Sequence, residues 1–160
     1  VSLILANLER MFAAEAHAKG LAFTTVPSRL SVDVPPMALI RAMANLTSNA
    51  IRYAGEGGVL IGARRRGETV SLEVWDTGPG VEADALAAIQ APYVRGSEDG
   101  EGEGLGLAIT AKLADEAGFA LRCRSWPGQG SCFSLTGLKR SMPEPDRIRP
   151  GSKIGVLTSG

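Results

Sequence analysis

Three short runs place residue types that handle a phosphorylated, amine-bearing ligand. In Asn45-Leu46-Thr47-Ser48-Asn49-Ala50-Ile51-Arg52-Tyr53, Asn45, Asn49 and Arg52 fall at i, i+4 and i+7. On a helix these three share one face. Asparagine is a middling helix former, so propensity does not account for a pair at this spacing. An amide oxygen is a suitable hard ligand for Mg²⁺, and a guanidinium pairs with phosphate oxygens. In Asp76-Thr77-Gly78-Pro79-Gly80 a carboxylate is followed by glycines. Such a carboxylate accepts a hydrogen bond from an exocyclic amine, and the glycines let the backbone approach a flat ring. In Gly102-Glu103-Gly104-Leu105-Gly106-Leu107 glycines lead into an apolar helix pattern. Free N–H groups at a helix start bind phosphate. Each run also has a plainer reading, respectively a solvated helix face, an ordinary turn and a flexible loop running into a helix.

Other chemistries find less support. The third run does not follow a strand in a βαβ unit, and no Lys-Ser/Thr pair follows its glycines, so neither a dinucleotide fingerprint nor a P-loop fits. His17 is the only histidine, which excludes a histidine-based metal cluster within the chain; it reads as a helix-surface residue. Cys123 and Cys132 match no zinc spacing and read as core residues of neighbouring strands in a reducing compartment. Seventeen basic residues balance seventeen acidic ones, so no charge excess calls for nucleic acid or an anionic membrane. No apolar run approaches the ~20 residues that span a bilayer. The chain lacks a starting Met and reads as a fragment; a cytoplasmic location is expected, with membrane anchoring of a longer parent left open.

The elements that position these runs follow from periodicity. Leu3, Leu5, Leu8, Met11 and Phe12 recur at helical spacing, predicting a helix over 3–18 that stops at Gly20. A short strand is expected over 21–26. A second helix spans 36–54, with proline in its first turn; its stripe of Leu39, Met43, Leu46 and Ala50 suits packing on a sheet. Val70, Leu72 and Val74 alternate with Ser71, Glu73 and Trp75, so 58–66 and 69–75 form a hairpin turning at Gly67. The pattern breaks down between Val81 and Gly104, and residues 96–104 read as a mobile loop. A third helix covers 105–116 and ends at Gly118. Two strands, 120–126 and 130–136, close the fold. The result is an α+β fold, a two-layer sandwich with a mixed, mostly antiparallel sheet and helices on one face. The domain is placed at 1–139, with 140–160 a Pro/Gly-containing tail.

In order and spacing together, these runs resemble the N, G1 and G2 boxes of the ATPase superfamily shared by gyrase, a class of heat-shock chaperones, MutL and histidine kinases. Asn45-x-x-x-Asn49-Ala50 resembles the histidine-kinase form of the N box. Pro92-Tyr93-Val94-Arg95-Gly96 resembles the F box, with Tyr93 where phenylalanine is usual. Gly128-x-Gly130-Ser131-x-Phe133 resembles the strand turn that closes the domain. The resemblance covers residues 1 to about 138.

The resemblance implies an ATP-binding catalytic domain of a bacterial sensor histidine kinase, with ATP and Mg²⁺ as cofactors. Asn49 then resembles the Mg²⁺ ligand, Arg52 the basic residue at the phosphates, Tyr53 the aromatic beside adenine, and Asp76 the acceptor of its amine. Gly78 and Gly80 of the same turn, and Ser131 of the closing strand-turn motif, are placed with the cofactor-binding residues. Gly102, Gly104, Leu105, Gly106 and Leu107 resemble the phosphate cradle of a mobile lid, and Arg95 the residue that reaches the γ-phosphate or a partner domain. Asn45 stands where gyrase-type hydrolases carry the glutamate that activates water; an amide is no general base, so transfer to a positioned nucleophile is favoured over hydrolysis. The accepting histidine is expected on a separate upstream dimerisation domain, with a response regulator as the further partner, and the fragment alone is not expected to autophosphorylate. The lid acids Glu98, Asp99, Glu101 and Glu103 are expected to face solvent. Rival readings are an anti-sigma-type serine kinase, a nucleotide-binding or docking module without phosphotransfer, and a plain ATPase.

Overall fold

The computed structural model describes residues 1–90 and 105–141. Helix α1 (Ser2–Ala18) buries Ile4, Leu5 and Leu8. Its stop is a left-handed glycine: Gly20 takes φ 74°, and the Gly20 and Leu21 N–H groups reach back to the His17 and Ala16 carbonyls at 2.9 Å. Strand β1 (Ala22–Thr25) follows. Helix α2 (Pro36–Tyr53) begins at the expected proline and buries Leu39, Met43, Leu46 and Ile51 completely. Each such side chain contributes about 1.5–3 kcal/mol relative to exposure. Strands β2 (Gly58–Arg66) and β3 (Thr69–Asp76) form the hairpin, turning at Gly67 with φ 62°. Helix α3 (Ala83–Gln90), helix α4 (Leu105–Ala117) and strands β4 (Ala120–Trp126) and β5 (Gly130–Lys139) complete the described elements.

The sheet order is β1-β2-β3-β5-β4. Only β1 and β2 pair in parallel, and α2 supplies the crossover that a parallel pair requires. The remaining pairs are antiparallel. Alternation along the strands puts Val59, Ile61, Val70, Leu72, Val74 and Leu135 on the inner face, where they form one core with α1 and α2. Leu60, Trp75, Arg124 and Trp126 fall on the opposite, outer face. The α+β sandwich with a mixed, mostly antiparallel sheet is the fold expected from the sequence.

Two elements depart from that expectation. Residues 83–90 form a helix where the pattern read as irregular. Alanine-rich sequence favours helix, but eight residues beside a glycine-rich run carry too little periodicity to show it. Strand β5 continues to Lys139 rather than stopping at 136. Leu135 faces Leu72 and Leu138 faces Val70, so β5 holds one extra residue there. Gly137, at φ 76°, absorbs it as a β-bulge, and Leu138 stays fully buried. Arg140 and Ser141 still bond to the fold, through a bridge to Val32 and a 3.0 Å bond to the Ser31 carbonyl. The tail beyond, 142–160, lies outside the described residues. Among the described residues no helix is long and apolar enough to cross a membrane.

Candidate functional site

A cleft of about 390 Å³ opens between α2, the start of α4 and the ends of β3 and β5. Its volume lies in the range of small-molecule sites. Asp76 and Ser131 stand on paired strand ends and line it, as do Asn49 and Tyr53 from the last turns of α2. Gly80, Leu107 and Phe133 add to the wall. Residues of the first two runs, far apart in sequence, therefore meet at one place with Leu107 of the third.

The carboxylate of Asp76 stands in the wall of this cleft. It accepts the Gly78 N–H at 2.8 Å and the Ser131 N–H. Burial raises its pKa above the usual carboxylate value of 3.8, partly offset by these two donors. A desolvated acceptor of this kind gains most when a ligand donor replaces the lost water.

Glycines hold the turn that carries it. A Cβ at Gly78 would collide with the Tyr53 carbonyl, and one at Gly80 would lie 2.7 Å from the Trp126 carbonyl. Gly80 also takes φ 78°, a backbone conformation that side chains resist. A Cβ at Gly130 would meet the Asp76 carbonyl. The turn thus packs on α2 and on the β4–β5 connection, pinned further by the Gly128 N–H to Pro79 carbonyl bond at 2.7 Å and the Val81 N–H to Ser125 Oγ bond at 2.6 Å.

The helical stripe divides in two. Asn49 reaches the cleft, and a Cβ on Gly106 would sit 3.8 Å from its Nδ2, so the first turn of α4 lies against that amide. Asn45 points elsewhere: its amide donates to Thr110 Oγ1 at 3.5 Å, and Thr110, fully buried, donates to the Gly106 carbonyl at 2.9 Å. This amide fastens α4 to α2 and is absent from the cleft lining. Arg52 is exposed, one turn beyond Asn49, and also outside the lining. Leu105 opens α4. Arg95, Gly102, Gly104, Tyr93 and the acids at 98–103 lie outside the described residues.

Sequence reasoning did not assign Pro79, Val81 or Glu82 to the site, although all three line it. Their one signal was position, immediately around the Asp76–Gly80 turn. Thr110 was missed because a buried threonine within a helix looks like core. Burial, with smaller effects from neighbouring charges and from an Arg124 hydrogen bond at Cys132, pushes Cys123 up to about 12 and Cys132 to about 11; both are buried and neither is in a disulfide, so the reactive thiolate is disfavoured. Among the described residues no cluster of His, Cys, Asp or Glu could hold a metal by itself. The Asn49 amide oxygen, which lines the cleft, is a hard donor of the kind that suits Mg²⁺, an ion that keeps several waters and shares its shell with substrate phosphates.

Comparison with known proteins agrees with this geometry. The sensor protein TorS of Escherichia coli (strain K12) is 40% identical over 100 residues, covering 62% of this chain and 11% of TorS. The aerobic respiration control sensor protein ArcB of the same organism is 35% identical over 141 residues, covering 82% of this chain and 18% of ArcB. The chain thus spans under a fifth of either relative's length. Full-length ShkA, solved in complex with AMPPNP, superposes with a TM-score of 0.76 at 28% identity, over 89% of this chain and 31% of ShkA. The nucleotide-free catalytic domain of histidine kinase ThkA shares the fold, with a TM-score of 0.71 at 22% identity over 87% of this chain and 92% of that domain. A family model described as "Histidine kinase-, DNA gyrase B-, and HSP90-like ATPase" matches residues 35–141, and with the cleft and all its lining residues inside that span, the chain belongs to this ATPase family.

Proposed function

We propose that the chain is the ATP-binding catalytic domain of a sensor histidine kinase. It holds Mg-ATP and presents the γ-phosphate to a histidine on a separate dimerisation and phosphoacceptor domain. The observation that carries this reading is the desolvated Asp76 carboxylate at the floor of the cleft, fixed by the Gly78 and Ser131 N–H groups. It accepts the exocyclic amine of adenine, and Val81 and Phe133 supply apolar wall for the ring. The triphosphate runs toward Asn49 and the start of α4, where the helix N-terminus favours anions. Asn49, with the phosphate oxygens, would hold Mg²⁺, which would supply charge neutralisation at the phosphates. Arg52 reaches the same phosphates from the helix edge; Arg95, Gly102 and Gly104, which the sequence assigns to the same phosphates, lie outside the described residues.

The chemistry asked of this chain is positioning and charge neutralisation. An external imidazole nitrogen attacks the γ-phosphorus in line; the N–P bond forms, and the bond to the β-phosphate oxygen breaks as ADP leaves. Water is a poor competitor because Asn45, turned into the α2–α4 contact, offers no general base. This supports phosphotransfer over a plain ATPase. A response regulator would take the phosphoryl group onward, and the cytoplasm is the location that fits this role.

The test is calorimetric titration of the chain with a non-hydrolysable ATP analogue, with and without Mg²⁺, followed by incubation with ATP and a separately prepared phosphoacceptor domain. Magnesium-dependent binding and label on the acceptor histidine are expected, with none on this chain alone. Label on a serine of a partner protein would replace the reading with a serine kinase. Absence of nucleotide binding would leave a docking module.

A further inference from the structure

The outer face of the sheet carries a second constellation that nucleotide binding does not use. Across one rung stand Leu60, Trp75, Cys132 and Arg124; across the next stand Gly62, Glu73, Ser134 and Arg122. Trp75 and Trp126 stack with centroids 5.8 Å apart and planes 9° from parallel. Arg124 lies 5.3 Å from the first ring and 5.9 Å from the second. Gly130 stands opposite Trp126 on β5. Beside the pair is a notch of about 220 Å³, edged by Gln129 and Gly130 and bordered by Asp76 and Ser131 at the strand ends, large enough for a single apolar side chain.

The charge on this face is one-sided. Among the described residues Arg64, Arg66, Arg122 and Arg124 share this face with one carboxylate, Glu73. Glu73 is buried and accepts from Ser71 Oγ at 2.9 Å, Trp75 Nε1 at 3.1 Å and Arg66 at 3.1 Å, with Arg64 at 3.9 Å. It therefore organises the platform from beneath and offers little to a partner. Among the described residues Arg122 and Arg124 have no carboxylate within ion-pair distance, although the chain as a whole is neutral. Trp126 is 40% exposed and Leu60 42% exposed. Aromatic and arginine side chains around a pocket form the residue set that dominates protein–protein binding energy.

We propose that this face is a docking surface for an acidic polypeptide segment, whose carboxylates pair with Arg122, Arg124 and Arg64 while one apolar side chain enters the notch beside Trp75 and Trp126. Nucleic acid fits less well. Base stacking needs an open ring face, and here each indole covers the other while Arg124 lies against both.

The chain's only tryptophans are Trp75 and Trp126, so their indole N–H signals in a ¹⁵N-labelled sample report on this face alone. The probe is a short synthetic peptide with a central phenylalanine between flanking glutamates, titrated to about millimolar. Both indole signals are expected to shift, with affinity falling as salt rises. Arg122→Glu with Arg124→Glu should weaken binding at least tenfold and leave affinity for an ATP analogue unchanged. Arg122→Glu alone, at a side chain without a hydrogen bond or ion pair among the described residues, serves if the double variant does not fold; a several-fold loss is expected. The proposal is overturned if the indoles stay still, if the variants bind the acidic peptide as well as the parent, or if a lysine-flanked peptide shifts the signals equally. Tighter binding of single-stranded oligothymidylate than of the acidic peptide would also overturn it, in favour of nucleic acid.

Discussion

Replacing Asp76 by asparagine removes one charge and one acceptor at the floor of the cleft while preserving side-chain volume. Two backbone donors, Gly78 N–H and Ser131 N–H, already point at this group. Asparagine has one oxygen. If that oxygen turns to the backbone, the NH₂ faces the adenine amine; if it turns to the ligand, a backbone donor faces the NH₂. Either rotamer loses a hydrogen bond to a charged acceptor, about 1.5–3 kcal/mol, or about ten- to hundredfold in Kd. The unliganded fold should suffer far less. Burial holds the Asp76 pKa above its usual 3.8, so on balance the surroundings favour the neutral group, and a neutral side chain there removes a desolvation penalty. The sign in pH follows. The parent should lose ATP-analogue affinity as pH falls through the raised Asp76 pKa, and the variant should lack that step. Calorimetry across pH 4–8 with parallel melting curves, a range chosen around the ordinary carboxylate pKa, separates binding from folding. Affinity within about twofold of the parent, or an unchanged acid-side step, would refute the role of Asp76. A collapse in melting temperature that accounts for the lost binding would make the carboxylate structural.

Further outcomes are expected at three other positions. Asn49→Ala should remove the Mg²⁺ dependence of binding, so that Mg-ATP and free ATP bind alike by calorimetry, at a cost of about 1 kcal/mol to the magnesium complex. Gly80→Ala should destabilise the fold by more than about 1 kcal/mol in urea melts, because alanine resists φ 78° and its Cβ would press on the Trp126 carbonyl. Glu73 titrates in the opposite sense from Asp76. Burial alone would raise its pKa, but Ser71, Trp75, Arg66 and Arg64 together lower it below 4.5. Its contribution to stability is therefore complete above pH 4.5 and lost as pH falls through the lowered value. Acid melts of Glu73→Gln should show a shallower loss of stability over that window.

Legibility in the sequence tracks how local the responsible interaction is. The period-2 pattern of Val70, Leu72 and Val74 and the helical stripe of Leu39, Met43 and Leu46 are local signals, and all of these side chains are buried. The Asp76–Gly80 turn was equally readable, because its glycines answer to steric demands that only glycine meets at those points. What stayed hidden depends on which strands become neighbours. Strand β5 inserts between β3 and β4, and only that order sets Ser131 against Asp76 and brings Trp126 onto Trp75. The same holds for the polar helix face. Asn45 and Asn49 are equivalent on a helical wheel, yet α4 packs across one side of it, and Thr110 takes the amide of Asn45 while Asn49 stays at the cleft. A spacing of four residues states that two side chains share a face; the partner helix decides which of them meets solvent. The two amides are therefore separated by packing. Of two chemically identical amides, the one next to Gly106 lines the cleft, and the one next to Thr110 bonds to α4 and helps hold that helix against α2.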